Sequence, residues 1–130
     1  MKKTIFLIAF LICFVPLLSA QQTGKVQASS SLEILTKHPW VKTNDQFGTA
    51  QLEFTKDLTF TVTLKSNNEA ITGTISLKGE LLNFETDSSC QEKGVYTITV
   101  TEETLNLTKK EDPCNGRNEI APCIWKALKQ

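Results

Sequence analysis

Residues 90–114 read CQEKGVYTITVTEETLNLTKKEDPC. Two alternating runs, residues 95–101 and 104–110, flank the pair Glu102-Glu103. Folding them about that pair as a two-residue turn sets Val100 opposite Leu105, Ile98 opposite Leu107 and Tyr96 opposite Lys109. The other face then carries Thr97 with Thr108, Thr99 with Asn106, and Thr101 with Thr104. This register puts apolar residues on one side and threonines on the other, and a slip of one residue would exchange the faces. Glu-Glu is a poor primed turn, so a longer loop competes at the tip. The same register brings Cys90 and Cys114 to the open end within one residue of opposition, which predicts a disulfide closing the hairpin. Cys114–Cys123 is the competing pairing. A bond closing a loop of this size contributes roughly 3–4 kcal/mol on the chain-entropy estimate.

The period of two runs through most of the chain. A helical turn over residues 32–36, with Leu32 and Leu35 inward, stops at His38-Pro39, because the residue before proline avoids the helical region. The first strand begins at Trp40. Ala50, Leu52 and Phe54 then alternate with Gln51 and Glu53, and Leu58, Phe60, Val62 and Leu64 alternate with threonines. A turn at Thr55-Lys56-Asp57 would set Phe54 opposite Leu58 and Leu52 opposite Phe60. Ile71, Gly73, Ile75 and Leu77 form the next inner row, and Lys78-Gly79 a tight turn. Leu82 and Phe84 return inward, while Leu81 breaks the pattern and marks a bulge or wider turn. Residues 115–118 read as a loop, and Pro122 delays a last strand over residues 124–128. About eight strands joined by short loops predict an all-β fold, an eight-stranded antiparallel up-and-down (meander) barrel with a short N-terminal helical turn. A two-sheet sandwich would need longer crossovers.

Lys2 and Lys3 followed by the apolar residues 4–18 have the form of a secretory signal peptide, too short for a comfortable membrane span. The expected organisation is a signal peptide at 1–20, a flexible polar lead-in at 21–31 and the barrel at 32–130. This places the protein in a secreted or periplasmic setting, with no membrane anchor after cleavage. The 14 basic and 14 acidic residues are interspersed, so no basic patch argues for nucleic acid. Of the four cysteines, Cys13 lies in the signal peptide, and three remain in an oxidising compartment. Their spacing lacks the close ligand pair of a metal site, so no metal and no cofactor is expected. His38 is the only histidine, no nucleophile–base motif stands near it, and the reading is not an enzyme. The short leader has the bacterial form, so the sequon Asn106-Leu107-Thr108 is read as a coincidence. The threonine ladders at residues 59–63 and 97–101 simply suit exposed strands.

FTKDLTF at residues 54–60, Gly94-Val95-Tyr96 preceded by Cys90, residues 104–107, and Asp112-Pro113-Cys114-Asn115-Gly116-Arg117 with Trp125 shortly after together resemble the lipocalin-like families of small secreted bacterial barrels. The resemblance covers most of the chain after the leader, and the Asp-Pro-Cys-x-Gly-Arg string is its specific part. It implies a calycin-type barrel that holds an apolar ligand, and it carries no catalytic residues. In lipocalins a tryptophan early in the first strand packs under an arginine near the end of the chain. Carried over, Trp40 and Arg117 would close one barrel end, a stacking worth about 0.5–2 kcal/mol, with Asp112 pairing to Arg117 across the intervening turn. This chain departs from lipocalins proper in being shorter, and in having His38-Pro39 where they have a glycine two before the tryptophan.

Within such a barrel the small inward residues are Ala50 and Gly73, so the expected ligand site lies there, lined also by Phe60, Phe84 and Tyr96, with the Tyr96 hydroxyl as its polar group. Gly73→Leu is then expected to fill the space and leave the fold intact. The expected function is a small extracytoplasmic binding protein for an apolar small molecule. The alternative is a protein-binding module or periplasmic inhibitor built on a filled barrel, and an interior without a cavity would favour it.

Overall fold

The computed structural model describes residues 30–129. The expected signal peptide and most of the lead-in lie outside the described residues. A helix, α1 (residues 30–35), precedes eight strands: β1 (Trp40–Asn44), β2 (Gly48–Phe54), β3 (Thr59–Leu64), β4 (Glu69–Lys78), β5 (Leu81–Asp87), β6 (Gly94–Val100), β7 (Thr104–Glu111) and β8 (Cys123–Ala127). A second helix, α2 (Asn115–Ile120), stands between β7 and β8. Each strand pairs antiparallel with the next, and β8 returns to β1, closing the barrel in chain order. The architecture is consistent with a calycin-like fold. No helix among the described residues is long and apolar enough to cross a membrane.

The β6–β7 hairpin has the register its alternation dictates, from Tyr96 opposite Lys109 to Val100 opposite Leu105. The Thr101 N–H donates to the Thr104 carbonyl at 2.8 Å, leaving Glu102-Glu103 as the turn. Cys90 and Cys114 are bonded, and Cys123 is free and exposed.

Two hairpin tips differ from expectation. Phe54 faces Phe60 and Leu52 faces Val62, so the β2–β3 register is displaced by two residues. The cause is Leu58, which belongs to the turn rather than the strand. Its φ is 60, and its N–H closes on the Thr55 carbonyl at 3.1 Å. This is a three-residue loop whose last residue is left-handed. A displacement of two preserves the faces, so Phe60 remains interior while Leu58 is 37% exposed. At the β4–β5 tip the turn is Gly79-Glu80, with Lys78 opposite Leu81 and Gly79 at φ 61. The bulge lies between Thr74 and Ile75, not at Leu81.

The predicted loop at 115–118 is the helix α2. The Asn118 N–H donates to the Cys114 carbonyl and the Ala121 N–H to that of Arg117. Asn-Gly weakens a helix in isolation, and tertiary anchoring overrides that weakness here. The core runs along the barrel axis. Phe60, Phe84 and Tyr96 stack edge-to-face in sequence, with centroids 4.9 and 5.3 Å apart. At one end α1 seals the barrel, with Leu35 buried and the Trp40 indole N–H donating to the Leu35 carbonyl at 3.0 Å. The other end holds α2 and the loops β1–β2, β3–β4 and β5–β6.

Candidate functional site

At the α2 end, two segments far apart in the chain meet. β7 ends at Glu111, and the next residue, Asp112, folds its carboxylate back so that Oδ1 accepts the Cys114 N–H at 2.9 Å. β5 ends at Asp87, whose Oδ1 likewise accepts the N–H groups of Ser89 (2.8 Å) and Cys90 (2.7 Å) and the Ser89 hydroxyl (2.7 Å). Asp is suited to such turns because its short side chain reaches the backbone two or three residues on. One turn of α2 then projects Arg117 between them. Its Nε donates to Asp112 Oδ2 at 2.6 Å and its Nη2 to Asp112 Oδ1 at 2.9 Å, a two-pronged pairing. Nη1 donates to Asp87 Oδ2 at 2.9 Å and Nη2 to the Glu92 carbonyl at 2.7 Å. The Tyr96 hydroxyl donates to Asp112 Oδ2 at 2.5 Å. The guanidinium also stands 5.7 Å from the Phe84 ring centroid.

All three charged side chains are buried: Arg117 is 6% exposed, Asp87 1% and Asp112 0%. Two carboxylates face one guanidinium, and the surplus negative charge is met by hydroxyl and backbone donors. Burial pushes the Asp112 carboxyl up, but hydrogen bonds from Arg117, Tyr96 and Cys114 outweigh it and hold the group below its ordinary range. Asp87 is held low in the same way, burial being outweighed by Ser89, Cys90 and Arg117. Tyr96 is raised, by burial first and then by its bond to Asp112, so it stays a neutral donor. Burial lowers the Arg117 guanidinium, and its two carboxylate partners more than reverse this. The protons of the cluster are therefore fixed across the neutral range. Its action is mechanical: it clamps the β5–β6 and β7–β8 connections together beside the Cys90–Cys114 bond.

The clamp explains the quoted motifs. A Cβ on Gly94 would lie 2.5 Å from Asp112 Oδ2 and 2.8 Å from Arg117 Nη2, so no larger residue fits there. Gly94, Tyr96, Asp112, Cys114 and Arg117 are one assembly. Asp87, Ser89 and Glu92 complete it from the neighbouring loop and were not expected. The local signal for Asp87 is Asp-Ser-Ser at a strand end, the pattern of an Asp-led turn. Among the described residues, Cys90, Glu92 and Cys114 have metal-ligand spacing, but both sulfurs are held in the disulfide.

Trp40 and Arg117 do not meet. Trp40 pairs with Ala127, at the end of β8, whereas Arg117 precedes β8 and sits at the other end of the barrel. The cation over an indole is Lys42, 4.8 Å from the Trp125 centroid. Trp125 is fully buried and donates its indole N–H to the Ala121 carbonyl at 3.0 Å. His38 lies at the surface, 3.9 Å from Glu102.

The expected ligand residues are dispersed. Ala50, Phe60, Phe84 and Tyr96 are buried, and the Tyr96 hydroxyl is spent on Asp112. Gly73 offers no space: a Cβ there would lie 2.1 Å from the Thr86 carbonyl oxygen, 2.7 Å from Asp87 Cβ and 2.7 Å from Phe60 Cε1. Gly73→Leu therefore collides with backbone instead of filling a void. Among the described residues, an interior space of about 30 Å³ lies beneath α2, among Leu52, Phe60, Phe84, Ile120, Ala121 and Trp125, with Asp87 and Arg117 at its edge. Phe60 and Phe84 line it; Ala50, Gly73 and Tyr96 do not.

Comparison with protein-family models, with curated proteins and with solved structures returns no match.

Proposed function

We propose that this chain is an extracytoplasmic, lipocalin-like barrel that acts as a protein-binding module, presenting clamped loops on a filled scaffold. The observation that carries this reading is the filled interior. A space of about 30 Å³ is far below the roughly 300–1,000 Å³ of pockets that enclose small molecules. The reading as an apolar-ligand carrier loses its support with Gly73 and Ala50. The clamp adds a positive argument. Loops held by a disulfide and a buried ion triad lose little conformational freedom on binding, and preorganisation is a main source of affinity. Gln91, Glu92, Lys93, Pro113, Asn115 and Glu119 are exposed on these loops and form the face offered to the partner. The disulfide is compatible with an oxidising compartment outside the cytoplasm.

The test begins with protein purified from the extracytoplasmic fraction of its own host. Native mass spectrometry is expected to show the bare chain. Affinity capture is expected to retain a protein that is lost from a Lys93→Glu/Asn115→Arg variant and kept by Lys56→Glu, which alters the opposite end. A stoichiometric small apolar molecule in the native spectrum would overturn the reading.

A further inference from the structure

The two sulfurs of the Cys90–Cys114 bond have unlike surroundings. Cys90 is half-buried, in a loop whose Ser88, Ser89, Gln91 and Glu92 are exposed. Cys114 is 7% exposed, and its sulfur accepts a hydrogen bond from Arg117 Nη2 at 3.3 Å. The backbones behind the sulfurs are fixed independently of the bond. The Cys90 N–H donates to Asp87 Oδ1 and the Cys114 N–H to Asp112 Oδ1, and both carboxylates are held by Arg117.

Exchange of a disulfide with a thiol depends on which sulfur can be reached and on how well the departing sulfur carries charge. An incoming thiolate reaches Cys90 from the solvent side. The Cys114 sulfur then leaves as a thiolate against the guanidinium, and a neighbouring cation favours that form. Nη2 also donates to the neutral Glu92 carbonyl at 2.7 Å. A hydrogen bond to a charged acceptor is roughly twice as strong as one to a neutral acceptor. The Nη2 contact with Cys114 therefore strengthens as charge grows on the sulfur, at the expense of Glu92. Asp87 and Asp112 oppose a further negative charge, and the direct N–H contact to sulfur offsets them. Attack on Cys114 would instead place the charge on Cys90. That sulfur faces the Glu92 carbonyl at 4.0 Å and, among the described residues, no cationic hydrogen-bond donor.

We propose that Cys90–Cys114 is an exchangeable disulfide and that Cys90 is its reactive sulfur, the site at which an external thiol forms a mixed disulfide. The thiolate sulfur of the incoming molecule bonds to Cys90 Sγ as the Cys90–Cys114 bond breaks, and the electron pair of that bond leaves on Cys114, beside Arg117. With a dithiol, the second thiol of the same molecule displaces Cys90. The dithiol is thereby oxidised to its own disulfide, and its two electrons and two protons pass to the cysteine pair. With a monothiol, the Cys114 thiolate, kept in place by Asp112, attacks Cys90 and expels the thiol again. The site is independent of whether the clamped loops bind a protein, because it is defined at the sulfurs.

Glutathione is the probe. The full chain, with the exposed Cys123 blocked by alkylation, is incubated with glutathione in its native state, quenched with acid, unfolded, and mapped after a second alkylation of the thiols set free. The expected product carries glutathione on Cys90 and the second alkyl label on Cys114, in roughly tenfold excess or more over the reverse arrangement. Equal amounts, or an excess of glutathione on Cys114, overturns the proposal. Reduction by dithiothreitol across a urea series below the unfolding transition is the second measurement. Its rate is expected to depend on urea far more weakly than global unfolding does, and a rate that follows global unfolding overturns the proposal. The third is the Cys114 thiol in Cys90→Ser, whose Cβ carbon signal is expected to titrate below the ordinary thiol value of about 8.5. A Cys114 thiol that titrates at or above that value removes the leaving-group argument and overturns the proposal as well.

Discussion

Arg117 is the residue on which the α2 end depends. Its removal strands two buried carboxylates without their cation. Arg117→Met is therefore expected to cost roughly 3–5 kcal/mol, the scale of breaking a buried ion pair from one side, as a large fall in the urea midpoint at neutral pH. The same cluster fixes the acid response. Asp87 and Asp112 are held below their ordinary range in the folded chain, so the unfolded chain binds more protons in the acid range. Their contribution is complete above the unfolded carboxylate value of about 3.9 and is lost as pH falls through the lower folded values. Stability measured from pH 7 downward should hold flat with respect to these groups and then drop below about pH 4. Asp112→Asn should start less stable and show a shallower acid drop. An equally steep drop in Asp112→Asn would count against the assignment. The Asp112–Arg117 half of the cluster was legible in the sequence, because both residues sit in one short string. The Asp87 half was not, since its partner stands 30 residues away and no local pattern encodes that meeting.

At the scale of elements, alternation was the readable quantity. Inside and outside are encoded every second residue, so the strands and their faces follow from sequence, and an error of two in register leaves them unchanged. Turn lengths were not readable, because each depends on the backbone angle of one residue. Leu58 looks like a core leucine and is instead a left-handed turn residue, 37% exposed. An L-residue pays roughly 1–2 kcal/mol for that conformation. Leu58→Gly should relieve it and raise stability by up to about 1 kcal/mol, seen as a higher melting temperature; a lower one would mean that the leucine packs usefully. The helix α2 was hidden for a related reason. Asn115-Gly116 is a loop signature, and the helix exists because Cys114 and Arg117 are anchored from outside it.

For the whole molecule, the disulfide joins connections on either side of the hairpin that first revealed the fold. Peptide mapping without reduction should recover Cys90 linked to Cys114 and Cys123 open to alkylation; a Cys114–Cys123 peptide would contradict the structure. Cys90→Ser with Cys114→Ser should lower stability by about 2–4 kcal/mol. The barrel should persist, because its ladders form between neighbours in the chain.

β1 and β8 pair only at Trp40–Ala127 and Val41–Lys126, and this short seam bears on the order of assembly. Seven pairings join consecutive strands and can form as local hairpins, whereas β1 and β8 must find each other across nearly the whole described chain. Contacts of such separation repay their closure entropy late. The rate-limiting barrier to folding should thus be crossed with β1 and β8 still apart. Val41→Ala, at the seam, should leave the refolding limb of the denaturant kinetics almost unmoved and accelerate the unfolding limb, whereas Ile98→Ala in the central hairpin should slow refolding. The lifetime of the native state, rather than the speed of reaching it, would then be set by the two residue pairs of this seam and the Leu128 N–H bond to the Pro39 carbonyl.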